Sequence, residues 1–398
     1  MTQGNAAPTV NDMNADEVRA LASQILTKSH RYPLDIVPTP SETPDFFEPA
    51  GNLQIPPDMS AVIPPAKKRS RHKRSAAALA ARKAKRQGKK NTIDKYTVVY
   101  NIRHEINLYL PKPSYSQFEL ATLTAMRYPN YPVHSLPTAP HRYRLLVPLP
   151  PNHPLEGQVP ELLAVRLDRM FSPGLMWKLN MHFDQFMRSC PRSSMSTLRP
   201  ESRSSRTLSF HFGCWRKSSN KIFLTADSCK QNPVAKASLY SLLSILKLHF
   251  IPKITHALRP IVPTHFRTTD KVRDYIKENY PQHYNDRQDV FDFEGLGSTL
   301  AVGVGHANKM HLDAGDSPQT LAIVLSGGTA VVFFCIPQLN VKIPLYPSQC
   351  LAVAARLLSH YVYHIEGTGR RHVYTFFTDC GSVAEAEGRA LKGKKKRV

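Results

Sequence analysis

The sequence predicts an α+β protein, and three observations carry that expectation. Glycine-punctuated, β-branched runs crowd the stretch after residue 286, while the best helical periodicity lies before it. Two long basic tracts without a single acid flank the apolar part of the chain, at 67–90 and 389–397. Prolines outnumber glycines, 33 to 18, which points to long non-helical arms around the core. The expected organisation is a disordered Pro-rich acidic arm (1–66), a basic segment (67–90), the first part of the ordered domain (91–285), a strand-rich core (286–380) and a basic tail (381–398).

Within 1–66, eight acids stand against three bases, and only Asp16–Leu26 has the spacing of a short amphipathic helix. The next segment holds Lys67, Lys68, Arg69, Arg71, Lys73 and Arg74, then an alanine block, then Arg82, Lys83, Lys85 and Arg86. It reads as a bipartite nuclear-import signal or a nucleic-acid contact that becomes helical on binding. With a net charge of +23, phosphate backbones are the expected partner, DNA above all, with the nucleus as the expected location. No run of eighteen apolar residues is present, so no membrane span is expected, and Met1–Pro8 lacks the pattern of a signal peptide.

Order is expected from near Thr92. Tyr96–Tyr100 and Arg142–Val147 read as strands, and Leu162–Phe171 and Leu175–Met187 as helices. Pro191–Arg206, rich in Ser and Arg, reads as a mobile loop; Leu208–Phe212 and Lys221–Thr225 read as strands. Ala235–Phe250 is the strongest helix, with Leu239, Leu242, Leu243, Leu246 and Phe250 on one stripe, placed to cover the outside of a sheet. Asp270–Asn279 follows as a helix capped by Asp270 and ended before Pro281. Trp177 and Trp215 read as core anchors, Trp215 being the better of the two for stacking on a base. The six cysteines show no CxxC pair and read as buried thiols of a reducing compartment; a zinc quartet of Cys190, His211, Cys214 and Cys229 is the less favoured alternative.

The chemistry concentrates in Leu300–Thr378. Leu300–His306 leads into His311-Leu-Asp313, Leu321–Leu325 and Ala330–Cys335 read as buried strands joined by Ser326-Gly-Gly328, and Val373–Phe377 reads as the last strand. His-x-Asp, a distant His and an Arg ten or eleven residues further on supply the ligands of a mononuclear Fe(II) site and a bidentate partner for the carboxylate of an oxo acid. Spacing of two puts both ligands on one face of a strand, whereas His182-Phe-Asp184, with the same spacing, falls in a helical segment. His182, His249, His256 and His265 read as structural.

The segments His311–Asp316, Leu325–Gly328, Ile336–Leu339, Ile343–Pro347, Arg356–His360 and Gly369–Thr378 resemble the double-stranded β-helix (jelly-roll, cupin-like) Fe(II)/2-oxoglutarate dioxygenases, and among them the Tet/JBP-like branch expanded in fungi. Two positions depart from the branch pattern: Asp316 stands where it has Asn, and Pro347-Ser-Gln-Cys350 where it has Pro-Gly-Asp. The resemblance implies a double-stranded β-helix core with packed helices, and Fe(II) held by His311, Asp313 and His360. It prefers His360 to His364 as third ligand. The implied cosubstrate, 2-oxoglutarate, pairs with Arg371, or with Arg370 if the strand register shifts by one. Asp316 and His364 become second-shell or substrate residues. The implied reaction is oxidation of the methyl of 5-methylcytosine or thymine in a flipped base. The same chemistry on alkylated nucleic acid or a basic protein side chain, and an inactive nucleic-acid-binding β-helix from a mobile element, are the competing expectations.

Overall fold

The computed structural model describes residues 80–88, 97–102, 108, 134–135, 144–168, 170–190, 208–216, 221–229, 231–283, 288–305, 310–339, 341–364 and 369–388. The arm at 1–66, the basic residues 67–79, the loop expected at 191–206 and the tail beyond 388 lie outside them. Residues 80–88, which carry Arg82, Lys83, Lys85 and Arg86, form an exposed helix in a compact unit separate from the one that holds residues 93–398. Alanine and long unbranched cations are strong helix formers, which accounts for it.

The described strands of the large unit fall into two sheets. The larger has the order β1 (Thr97–Val99), β3 (Arg144–Pro148), β4 (Leu162–Leu167), β11 (Cys350–Val353), β8 (Ala322–Gly328), β13 (Arg371–Phe377), β7 (Thr299–Val304), β5 (Leu208–Trp215), β6 (Phe223–Leu224). The smaller has the order β12 (Tyr361–His364), β9 (Val332–Ile336), β10 (Val341–Leu345), β2 (His134–Ser135). His311 adds a one-residue antiparallel bridge to His360, at the start of β12. From residue 299 on, the chain visits the large sheet (β7), the small one (His311), the large (β8), the small twice (β9, β10), the large (β11), the small (β12) and the large (β13). That alternation is a double-stranded β-helix, as the sequence predicts.

The hydrophobic pattern sets which face looks where. In β13, His372 and Tyr374 pack on Phe183, with ring centroids at 4.1 and 6.3 Å, and Phe376 packs on Phe293. The even positions therefore face the covering helices, and Arg371, Val373 and Thr375 face the interior between the sheets. Across β8 and β7 the interior row continues through Ser326 and Gly303, both opposite Val373, and through Val324 and Ala301, both opposite Thr375. Val373, Thr375 and Ala301 keep partial exposure although their strands are flanked on both edges, so the interior is open on this side.

Helix α1 (Pro173–Ser189) starts on an Ser172 cap whose hydroxyl accepts from the Leu175 N–H, and lays Met176, Leu179, Phe183 and Phe186 on the outer face of the large sheet. After the single turn α2 (Ala226–Cys229), α3 (Pro233–Ile245) runs through a π-helical turn, Leu246–Phe250, into α4 (Ile251–Leu258). Its predicted stripe, Leu239 to Phe250, is fully buried and packs on α1. By length and composition Pro233–Leu258 passes the test for a membrane span, yet its apolar stripe lies in the core. Helix α5 (Pro263–Asn279) and the short α6 (Cys380–Ala386) complete the covering layer.

Three expectations are corrected. Leu162–Leu167 is a strand, not a helix: it is buried along its length between β3 and β11, and a strand enclosed on both faces shows no alternation. Asp270 lies inside α5 and caps nothing; Pro263 occupies the first turn, as its fixed φ favours. Ser326-Gly-Gly328 ends β8 and is not its connection to β9.

Candidate metal centre

His311 and His360 are joined by reciprocal main-chain hydrogen bonds, His311 N–H to His360 C=O at 3.0 Å and His360 N–H to His311 C=O at 2.9 Å. In such a hydrogen-bonded antiparallel pair both side chains leave on the same face, here with ring centroids 4.4 Å apart. Asp313, two residues on, is pinned by its N–H to the Ala355 carbonyl at 3.1 Å, and the Asp316 N–H closes a turn onto the Asp313 carbonyl at 2.9 Å. The carboxylate stands between the imidazoles: Oδ1 is 3.9 Å from His311 Nε2 and Oδ2 is 3.8 Å from His360 Nε2. Those separations are too long for hydrogen bonds and suit a shared ion with bonds of about 2.1 Å. Among the described residues this is the one group of three or more ligating side chains whose donor atoms converge, all within 4.8 Å.

The protonation states fit a metal. The Nδ1 of His360 is 2.9 Å from the Leu358 carbonyl, so Nδ1 carries the proton and the Nε2 lone pair faces the site. Burial lowers the His360 pKa to about 4, with His311 adding to the shift and Asp313 opposing it. The imidazole is therefore a neutral ligand at neutral pH. The Phe334 ring stacks on it at 5.0 Å and fixes its plane.

Arg371 is the inward arginine of the pair. It is 6% exposed, its Nη1 donates to the Gly305 carbonyl at 3.2 Å, and its Nε has no partner among the described residues. Burial lowers its pKa to about 10. Ser326, two positions along the neighbouring strand on the same interior face, has a buried hydroxyl that likewise finds no partner among the described residues. A buried guanidinium without an anion is costly, and such a pair of donors is complementary to a carboxylate. Arg370 points the other way, 69% exposed at the side chain, with Nη2 3.8 Å from Asp184.

No protein-family model and no curated protein matches this chain. Among solved structures it is similar to NgTET1 in complex with 5mC DNA, at a TM-score of 0.42 and 17% identity over 60% of this chain and 77% of that one. It is similar also to OsALKBH1 (TM-score 0.30, 15% identity, 54% of this chain and 96% of that one). A third is the dioxygenase for auxin oxidation in rice (TM-score 0.30, 11% identity, 70% and 82%).

The remaining expectations sort by position. Asp316 is half-buried beside Arg356, where its carboxylate partly offsets the burial that lowers that guanidinium. His364 ends β12, and its side chain lies outside the described residues. His182 meets the Ser241 hydroxyl at 2.9 Å through Nδ1, and His265 Nδ1 accepts from the Leu321 N–H at 3.0 Å; both are structural, and His249 and His256 are exposed. The zinc quartet is not assembled among the described residues. Cys190, Cys214, Cys335 and Cys350 are buried thiols that form no disulfide, but Cys229 and Cys380 are exposed. Trp177 is not a core anchor: it is 62% exposed.

Sequence reasoning missed a second buried arginine. Arg166 of β4 lies in the interior row that runs through Leu351, Val324 and Thr375. Its guanidinium forks onto Asp168 at 2.9 and 3.1 Å and reaches the Pro344 carbonyl of the small sheet at 3.1 Å, while Gln349 donates to Asp168 at 2.7 Å. The group ties the two sheets together. The only signal was an Arg-x-Asp spacing inside an apolar run, which in a strand places both side chains on one face.

Proposed function

We propose that the chain is an Fe(II)- and 2-oxoglutarate-dependent dioxygenase that oxidises a methylated base in nucleic acid, 5-methylcytosine or thymine being the substrates the sequence resemblance favours. The observation that carries this reading is one interior holding two imidazoles, a carboxylate between them, and a buried guanidinium with no anion among the described residues. When bound, the iron and the oxo acid supply an oxidative decarboxylation coupled to insertion of oxygen into a C–H bond. The protein positions these parts. His311, Asp313 and His360 would hold one face of the iron and leave the other open, His360 being kept neutral by burial and oriented by the Leu358 carbonyl. Arg371 would fork onto the distal carboxylate of the oxo acid with the Ser326 hydroxyl beside it. The net charge of +23, and the exposed Arg82, Lys83, Lys85 and Arg86, support nucleic acid as partner and import into the nucleus.

Purified chain should be incubated with iron, 2-oxoglutarate and DNA carrying 5-methylcytosine, and the nucleosides analysed by mass spectrometry. Hydroxymethylated base and equimolar succinate are expected, and His311→Ala with Asp313→Ala should abolish both while leaving the fold intact. Succinate that persists at the wild-type rate in the double variant would sink the site. Succinate without base oxidation on any methylated nucleic acid would sink the substrate.

A further inference from the structure

We propose that the outer face of α1 is a nucleic-acid docking surface, with Trp177 stacking on an unpaired base and Lys178, Arg188 and Arg370 meeting the flanking phosphates. The inference rests on the nucleic-acid reading above and deepens it by giving the strand a seat outside the metal pocket.

Trp177 and Met181 are successive turns of one helix face, 62% and 48% exposed. Tryptophan is usually well covered, and a large exposed indole beside an exposed thioether marks a surface that something covers. The helix beneath is a rigid mount. Its opposite side is locked in the core by Met176, Leu179, Phe183 and Phe186, and the Asn180 side chain accepts from the Gly328 N–H at 3.2 Å. That bond, and the approach of Arg370 to Asp184, fix α1 against the end of the large sheet where Arg371 enters β13.

The charges choose the occupant. Lys178 and Arg188 are exposed on the same side of the helix, and Arg370 is exposed against it. The stripe's carboxylate, Asp184, is already faced by Arg370 at 3.8 Å. Apolar surface ringed by cations suits stacked bases with phosphates at their edges, whereas the core of a protein interface is depleted of charge. Stacking on an aromatic ring is sequence-tolerant, so this surface would add affinity and position the strand while the pocket selects the base.

Trp177 and Trp215 are the chain's two tryptophans, so Trp215→Phe leaves Trp177 as the single indole emitter. Titrating that variant with a single-stranded oligonucleotide should quench its fluorescence with the same midpoint as fluorescence anisotropy of the labelled strand. In the otherwise native chain, Trp177→Ala should weaken binding roughly five-fold to one-hundred-and-fifty-fold, and Trp177→Phe should recover much of the loss. Lys178→Gln with Arg370→Gln should lower the salt dependence of binding by about 1.4 in the log–log slope, the amount for two phosphate contacts to a single strand. Iron-dependent succinate production measured without nucleic acid should be unchanged in Trp177→Ala, Trp177→Phe and the double variant. Wild-type binding with Trp177→Ala unaffected would overturn the surface and leave the proposed chemistry standing. A wild-type chain that binds no oligonucleotide would overturn both this surface and the nucleic-acid substrate. A change from dimer to monomer on Trp177→Ala, with affinity for the strand intact, would overturn the proposal in favour of a second copy as the occupant.

Discussion

Arg370 and Arg371 are adjacent in the chain and opposite in circumstance, one solvated against Asp184 and the other desolvated beside an unpartnered serine. Removing one partner of a buried charge pair costs about 2–5 kcal/mol, roughly thirty-fold to several thousand-fold in affinity. Arg371→Ala should weaken 2-oxoglutarate by that order with iron still bound. Lysine at 371 should recover only part, because it keeps the charge and loses the fork. Ser326→Ala should weaken the oxo acid less than Arg371→Ala, and Arg370→Ala hardly at all. Anaerobic titration of the oxo acid into the iron-loaded variants reads all four. A large loss at 370 with none at 371 would invert the inward assignments along the strand.

At the scale of elements, β8 and β13 fit together through the absence of a side chain. A Cβ at Gly327 would run into the His372 ring, which sits between Gly327 and Phe183. Gly327→Ala should therefore destabilise by about 1–3 kcal/mol, the usual range for overpacking, with a lower urea midpoint and an unchanged slope. Had the ring been free to turn away, the substitution would be close to neutral. The strand β13 and the strands around it were legible as apolar runs in the sequence, but its register was not: the preference for Arg371 over Arg370 came from the family resemblance. Leu162–Leu167 was not legible, because enclosure on both faces erases the alternation on which a strand is recognised. Arg166 was hidden for the same reason, since its partners Asp168, Gln349 and Pro344 come together only once the sheets close. The candidate pair His311 and Asp313 was visible as a spacing, whereas the preference for His360 over His364 drew on the family resemblance and the distance to the arginines. Ser326 was not legible: its place beside Arg371 depends on a cross-strand register that no local pattern encodes. The departure at Ser348 proves local, a turn residue with φ of +74°, where glycine is the easier occupant.

For the whole molecule, acid should be the weak side. Burial lowers His265 and His372 to about 3, from an ordinary value near 6.5. Between those values the unfolded chain binds protons that the folded one refuses, so stability is complete above about pH 6.5 and falls as pH drops toward 3. Each such group can withdraw on the order of 5 kcal/mol over the full window. Urea unfolding without added metal should show a midpoint falling steadily from pH 7 to pH 4.5. His265→Gln should be less stable at neutral pH and visibly less sensitive to acid. A flat profile for the native chain would mean that these rings are protonated in the folded state.

The place of β13 has a consequence for how the protein is made. It is the last strand among the described residues, yet it lies in the middle of the large sheet, hydrogen-bonded to β7 on one side and β8 on the other. During synthesis from the N-terminus, β7 and β8 each emerge with an unsatisfied edge that nothing already translated can fill in this arrangement. Closure waits for residue 377, by which point α1 to α5 and both edges have already been translated. A ribosome stalled just before Arg371 would thus hold two aggregation-prone edges rather than a smaller finished domain.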